Sequence, residues 1–209
     1  MPTFTIGTTT TSPGEITYGW FDAVPLPTGE TDRFPVIIAQ GREADGPVFW
    51  ITTGIHGGEH TGPIAIHRLI TPELVGRLRG TVIAIPALNP AGLRTKQRSP
   101  YYLEDDPNRL FPKPNAEASP KENRPRSALE IAYERLYDAI VETQPAGLID
   151  LHNAWYGSIP FIFRDPVLYH RKGRKEPDRR QAQALQVHTG KMIDAVGLTV
   201  INEIVADSY

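Results

Sequence analysis

A strand–helix–strand succession between residues 48 and 88 constrains the fold of this chain more than any other feature. Val48–Thr53 is a β-rich run, and after a glycine-rich turn Thr61 suits the N-cap of a helix. Pro72 suits the first position of a second helix, and Thr81–Leu88 is the next strand. Strands joined through helices in this way run parallel, so the sequence predicts an α/β fold.

The rest of the chain extends this alternation. Ser127 and Glu130 form a capping box at the start of a helix that leads into a strand at Gly147–His152. The other predicted elements are strands at Thr3–Gly7, Glu15–Phe21, Phe34–Gln40, Ile159–Phe163 and Leu198–Val205, and a helix from about Pro177 to Val196. We expect one domain, residues 1–209, with a mainly parallel mixed sheet and helices on both faces. N-terminal strands at about 1–45 precede a core at about 46–209.

One segment does not fit this pattern. Pro90–Pro125 contains seven prolines, many charges and no clear periodicity. Long loops without regular structure are usually functional, so we expect this segment to contribute to a site.

The composition excludes several classes of function. The net charge of -2 provides no overall field for nucleic acid or anionic lipid, and the chain has no cysteine for a thiolate metal site. No apolar run approaches the ~20 residues that span a bilayer, so we expect a soluble cytoplasmic protein without a membrane partner. The basic cluster Arg171, Lys172, Arg174, Lys175, Arg179 and Arg180 is interrupted by acidic residues and indicates a solvated helix start, not a nucleic-acid site.

Polar residues follow three of the predicted strands, where open α/β sheets bind ligands. His56 and Glu59 follow the first, Asn89 the second, and His152 ends the third. A catalytic zinc ion takes three His or carboxylate ligands and leaves a position for water, and His56, Glu59 and His152 meet that count. His56 and His60 also match the His-x-x-Glu-His pattern of inverted zincins, but two adjacent glycines disfavour the helix that this pattern needs.

The full set of motifs resembles the zinc carboxypeptidase superfamily, in particular its succinylglutamate desuccinylase and aspartoacylase branch. The resemblance runs from about Val48 to Val205. Its motifs, in the expected order, are His56-Gly57-Gly58-Glu59, Asn89-Pro90, Arg98, Asp106-Pro107-Asn108-Arg109 and Asp150-Leu151-His152.

This resemblance implies one Zn²⁺ per chain, bound by His56, Glu59 and His152. It implies that Asp106 supports His56 and that Arg98 polarises the scissile carbonyl or holds its oxyanion. Asn108 and Arg109 then bind a substrate carboxylate, for which the planar guanidinium is suited.

The family's general base is a Glu on a strand after the one that corresponds to Leu198–Val205, and we do not expect Glu203 to replace it. We therefore expect a domain that is incomplete at its C-terminal end. The expected activity is water-driven cleavage of an amide bond in a small carboxylate-bearing substrate, such as an N-acyl amino acid. A metallocarboxypeptidase acting on peptides and a metal-binding domain without turnover remain open.

Overall fold

Long β-rich runs in the first half of the chain build a five-stranded mixed sheet. The structure, a computed structural model, describes residues 3–112, 125–154, 157–164 and 176–202. The strands of the sheet are β3 (Ile16–Pro25), β4 (Thr31–Gln40), β5 (Glu43–Thr53), β6 (Arg79–Ile85) and β7 (Gly147–Leu151), in the order β3-β4-β6-β5-β7. Two short strands that precede them, β1 (Thr5–Ile6) and β2 (Thr9–Thr10), form a separate antiparallel pair.

The pairing of this sheet differs in one respect from the prediction. Strand β5 is parallel to both β6 and β7, as the strand–helix–strand pattern predicts. However, β4 is antiparallel to both β3 and β6, so parallel pairing does not predominate within the described sheet. Short turns join β3 to β4 and β4 to β5, and such turns reverse the direction of the chain. Strand β4 therefore runs opposite to β3, to β5 and to β6, which is parallel to β5.

Successive residues of the central strands contribute to two separate apolar clusters. In β4, Ile38 belongs to the first cluster and Ile37 to the second. Side chains alternate between the two faces of a strand, so each face of the sheet has its own buried contacts. Tyr133 packs into the first cluster, and Ile66 and Val75 pack into the second.

The helix starts confirm most of the predicted caps. Helix α2 (Pro72–Arg77) is capped by Thr71, whose hydroxyl accepts from the backbone N–H of Leu74 at 3.3 Å. Helix α4 (Ala128–Glu142) has the predicted capping box of Ser127 and Glu130. In α1 (Thr61–Leu69), the predicted cap Thr61 is wrong by one residue: His60 is at the N-cap position, and its side chain makes no cap hydrogen bond.

Part of the segment expected to lack regular structure is helical. Helix α3 (Pro90–Thr95) begins at the N-cap Asn89, whose side chain accepts from the backbone N–H of Gly92, and a single 3₁₀ turn spans Pro107–Arg109. A six-residue helix is too short to show apolar periodicity, and its initial proline is also a turn signal. Residues 113–124 of this segment lie outside the described residues.

The chain divides into two units, Met1–Asn153 and Ala154–Tyr209. In the second unit, β8 (Phe161–Arg164) is parallel to β9 (Thr199–Asn202), and α5 covers Glu176–Val196. These elements match the predicted strands and helix to within a few residues, except that residues 203–205 of the last predicted strand lie outside the described part. None of the described helices is long and apolar enough to cross a membrane.

Candidate metal centre

The carboxyl ends of β5, β6 and β7 lie at one edge of the sheet. The register pairs Thr52 with Ile85 on β6, and Thr53 with Leu151 on β7. His152 follows β7 directly, and the loop after β5 carries His56 and Glu59. The parallel strands therefore bring residues that are about a hundred positions apart in sequence to the same edge, as predicted.

Glycines allow the loop after β5 to pass close to neighbouring backbone. Gly54 has a φ of 66°, which side-chain-bearing residues rarely adopt. Gly57 donates its N–H to Gln97 O at 3.1 Å. A Cβ on Gly57 would lie only 2.0 Å from Gly92 O, so no larger residue fits there without moving the backbone. The loop is thus held in a shape that points His56 and Glu59 in one direction.

Asn89 connects this loop to the segment after β6. Its side-chain amide donates to Ile55 O and to Arg98 O, both at 3.1 Å, and its Oδ1 accepts from Gly92 N at 2.8 Å. The residue is 2% exposed, and its bonds to Ile55 O and Gly92 N are buried. The Asn-Pro turn therefore positions the backbone on either side of the candidate site, beyond its role as a helix cap.

Three donor groups converge at the edge of the sheet. His56 Nδ1 lies 2.8 Å from Glu59 Oε1, and His152 Nδ1 lies 3.0 Å from Glu59 Oε2. One ligand atom from each residue lies within 4.8 Å of the other two, which is compatible with a shared metal ion. Tetrahedral zinc with bonds of about 2.0–2.1 Å needs ligand atoms about 3.3 Å apart, so small movements would suffice.

Both imidazoles have a carboxylate at the opposite nitrogen. His56 Nε2 lies 3.1 Å from Asp106 Oδ1, and His152 Nε2 lies 2.6 Å from Asp150 Oδ2. Metal-ligating histidines are typically held in this way, because a carboxylate at one nitrogen fixes the tautomer and directs the other nitrogen at the ion. The arrangement of donors therefore fits a metal ion well.

The electrostatics of the group favour a cation. Hydrogen bonds to Asp150 and then to Glu59 raise the pKa of His152 to about 10, although its partial burial acts in the opposite direction. Burial alone would raise the pKa of Glu59, but hydrogen bonds from His152 and His56 outweigh it, and the net pKa is lowered. The Glu59 carboxylate thus remains ionised beside the two imidazoles.

Asp106 is the centre of a second set of contacts. Its Oδ2 lies 2.7 Å from the Arg98 guanidinium, and its Oδ1 accepts from the backbone N–H of Asn108 at 2.9 Å. Burial opposes ionisation, but the bonds from Arg98, Asn108 and His56 lower the pKa of Asp106 to about 2. The structure therefore brings Arg98 and Asp106 together with His56.

Asn108 and Arg109 lie on the 3₁₀ turn that follows Asp106. Arg109 is exposed, and its guanidinium donates to Asn108 O at 3.1 Å. No carboxylate in the described part of the chain pairs with it. The predicted substrate-binding residues thus lie within three positions of Asp106, the carboxylate that contacts His56, and their role remains a prediction.

Sequence reasoning missed two contacts of the donor group. Asp150 supports His152, and the backbone N–H of Asn153 donates to Glu59 Oε2 at 3.1 Å. Side chains two residues apart on a strand share a face, so the Asp-Leu-His spacing was a usable signal for Asp150. His60 is outside the donor group, in which His152 supplies the second imidazole, so the inverted zincin pattern is not formed.

Two histidines and a carboxylate at the carboxyl edge of an α/β sheet define the class of this protein, a candidate metal-binding α/β domain. Residues 45–187 match the family described as the succinylglutamate desuccinylase/aspartoacylase catalytic domain. Because this match covers more than half of the chain, the chain belongs to that family. The predicted resemblance to this zinc carboxypeptidase-like branch is confirmed.

Solved structures share the fold. An ectoine utilization protein from Ruegeria pomeroyi, with product bound, has a TM-score of 0.66 at 18% identity, over 92% of this chain and 53% of its own. An aspartoacylase family protein from Mesorhizobium loti has a TM-score of 0.62 at 20% sequence identity, and the match covers 91% of this chain and 54% of that protein. A proposed metallopeptidase from Shewanella amazonensis has a TM-score of 0.54 at 17% sequence identity, and the match covers 91% of this chain and 65% of that protein. The chain thus spans about half to two thirds of their lengths. No curated protein matches the sequence.

Proposed function

We propose that this chain binds one Zn²⁺ through His56, Glu59 and His152 and supports hydrolysis of an amide bond. The observation that carries the proposal is the convergence of two Nδ1 atoms on one carboxylate, with each Nε2 atom backed by a second carboxylate. Bound zinc supplies Lewis-acid chemistry: it lowers the pKa of a water to about 7 and polarises a carbonyl. His and carboxylate donors without thiolates suit a catalytic zinc site.

The chain's own residues would orient the substrate. Arg109 is exposed and has no carboxylate partner among the described residues, so its guanidinium can donate two parallel N–H bonds to a substrate carboxylate. Asn108 lies beside it on the same turn and can add a hydrogen bond. Arg98 is bound to Asp106 through one nitrogen, and its side chain is 60% exposed, which allows it to donate to a carbonyl oxygen as well.

We favour an N-acyl amino acid, or a related small carboxylate, as the substrate. The family name refers to a desuccinylase and an aspartoacylase, which supports deacylation. C-terminal cleavage of peptides is the second candidate, favoured by the similarity to a proposed metallopeptidase and by the same need for a carboxylate anchor. The third candidate is metal binding without turnover, because holding a metal ion needs only the donors of His56, Glu59 and His152 and no further catalytic group.

We also propose that the protein acts in the cytoplasm on small molecules or peptides, without nucleic-acid or membrane partners. The net charge of -2 supports this proposal, since it provides no general attraction for polyanions.

Metal analysis and activity assays on the same preparation would test these candidates. We expect one zinc per chain and hydrolysis of N-acyl amino acids, lost on chelation and restored by Zn²⁺. Hydrolysis of peptides but not of N-acyl amino acids would favour the carboxypeptidase. Stoichiometric zinc without turnover on either class would favour a binding domain, and the absence of zinc would refute all three.

A further inference from the structure

We propose that Thr52 is a positioning residue for the metal centre, which acts through Asp150 on the imidazole of His152. This inference rests on the proposed metal site at His56, Glu59 and His152. It concerns a residue on β5, the strand that precedes the His56 loop, and thus assigns that strand a second contribution to the site.

The register of two parallel strands places Thr52 and Asp150 opposite each other. They are direct partners in the β5–β7 pairing, and Thr52 Oγ1 donates to Asp150 Oδ1 at 2.7 Å. The other oxygen of the same carboxylate, Oδ2, lies 2.6 Å from His152 Nε2. The Asp150 carboxylate is therefore held at one oxygen by the sheet and at the other by the imidazole.

These two contacts of the Asp150 carboxylate determine where His152 Nδ1 points. The side chain of Asp150 is 31% exposed, so without a fixed partner its carboxylate can rotate toward water. Thr52 is 4% exposed, and its β-branched side chain in a strand has few rotamers, so its hydroxyl is a rigid donor. With the carboxylate fixed, the imidazole has one favoured orientation, in which Nδ1 lies 3.0 Å from Glu59 Oε2.

The two imidazoles are supported in equivalent ways. Asp106 meets His56 with Oδ1, while Arg98 holds its Oδ2. Asp150 meets His152 with Oδ2, while Thr52 holds its Oδ1. Thr52 is therefore the counterpart of Arg98. The difference is that Thr52 is buried in the sheet, where it cannot also contact a substrate.

The competing explanation is that the Thr52–Asp150 bond only joins two strands. A purely structural bond would change the stability of the metal-free protein when it is removed, without a separate effect on metal affinity. Zinc affinity is therefore the decisive measurement, obtained by competition with a chelator of known affinity. The free energy of unfolding of the metal-free protein is measured in parallel.

Variants at position 52 separate these explanations. Thr52→Val keeps the shape and removes the hydroxyl, and Thr52→Ser restores a hydroxyl. We expect Thr52→Val to weaken zinc binding on the order of tenfold, and Asp150→Asn to weaken it about 10- to 100-fold. Thr52→Ser should stay within about twofold of the unmodified chain, because it retains the donor to Asp150.

Thr17→Val is the matched control, because Thr17 is on β3 and its buried hydroxyl has no hydrogen-bond partner among the described residues. We expect unchanged zinc affinity. If Thr52→Val does not fold, Thr52→Ala is measured in its place. If a folded variant that lacks the Thr52 hydroxyl binds zinc as tightly as the unmodified chain, the positioning role is overturned. Absence of zinc binding by both the unmodified chain and Thr17→Val would instead refute the proposed metal site.

Discussion

The Arg98 guanidinium lies 2.7 Å from Oδ2 of Asp106, on the side of that carboxylate away from His56. The family resemblance alone implies that Arg98 faces a substrate carbonyl, whereas the structure also joins it to the carboxylate that contacts His56, a candidate metal ligand. A residue in this position can link substrate binding to the orientation of His56. Separate substitutions can therefore distinguish the metal-binding side of the site from its substrate-binding side.

Asp106→Asn should weaken zinc binding about 10- to 100-fold, since the amide cannot hold the His56 imidazole as an ionised carboxylate does. Chelator competition measures the affinity. Glu104→Gln removes an exposed carboxylate from the same loop and should leave the affinity unchanged. Equal affinities for Asp106→Asn and the unmodified chain would show that Asp106 does not support the ligand.

His152→Ala should abolish stoichiometric zinc, because two remaining protein ligands do not make a stable site. His60→Ala should retain one zinc per chain, since His60 is exposed at the N-cap of α1 and lies outside the donor group. Metal content after gel filtration distinguishes the two variants. The reverse result, with zinc lost in His60→Ala and kept in His152→Ala, would support the inverted zincin pattern instead.

Arg109→Ala should keep zinc and weaken the binding of carboxylate-bearing substrates about 10- to 100-fold, corresponding to the ~1.5–3 kcal/mol of a hydrogen bond to a charged group. The affinity for a carboxylate ligand that cannot be hydrolysed, such as the free amino acid product, is measured by calorimetry with the zinc-loaded protein. Arg77→Ala, which removes an exposed arginine from the end of α2, is the control. An unchanged affinity in Arg109→Ala would remove Arg109 from the substrate site.

Tyr133→Phe should lower the free energy of unfolding by about 1–3 kcal/mol, because it removes a buried donor from a carbonyl. The Tyr133 hydroxyl donates to Leu88 O at 3.0 Å, and the ring is completely buried between Phe34 and Phe111. Urea unfolding of the metal-free protein provides the measurement.

Tyr137→Phe is the control for this stability effect, since Tyr137 lies on the same helix and is 37% exposed. A surface change of this kind is usually within about 0.5 kcal/mol of neutral. If both variants lost the same stability, the hydrogen bond to Leu88 O would not be the cause.

Much of the fold and the donor group could be predicted from the sequence because the signals are local. The β-rich run, the glycine turn and the following helix predict that β5 and β6 are parallel, and the capping box at Ser127 predicts the start of α4. Residues placed just after parallel strands must share one edge of the sheet. The order of residues along the chain is therefore sufficient to group His56, Glu59 and His152.

The tertiary structure alone decided the contacts around those donors, because they depend on strand register and side-chain orientation between segments far apart in sequence. Thr52 meets Asp150 only because β5 and β7 pair in one particular register, and a shift of one residue would point their side chains to opposite faces. The bond from the backbone N–H of Asn153 to Glu59, 94 positions away, likewise depends on how β7 pairs with β5. Local patterns determine strand direction and helix starts, whereas long-range packing determines which polar atoms meet.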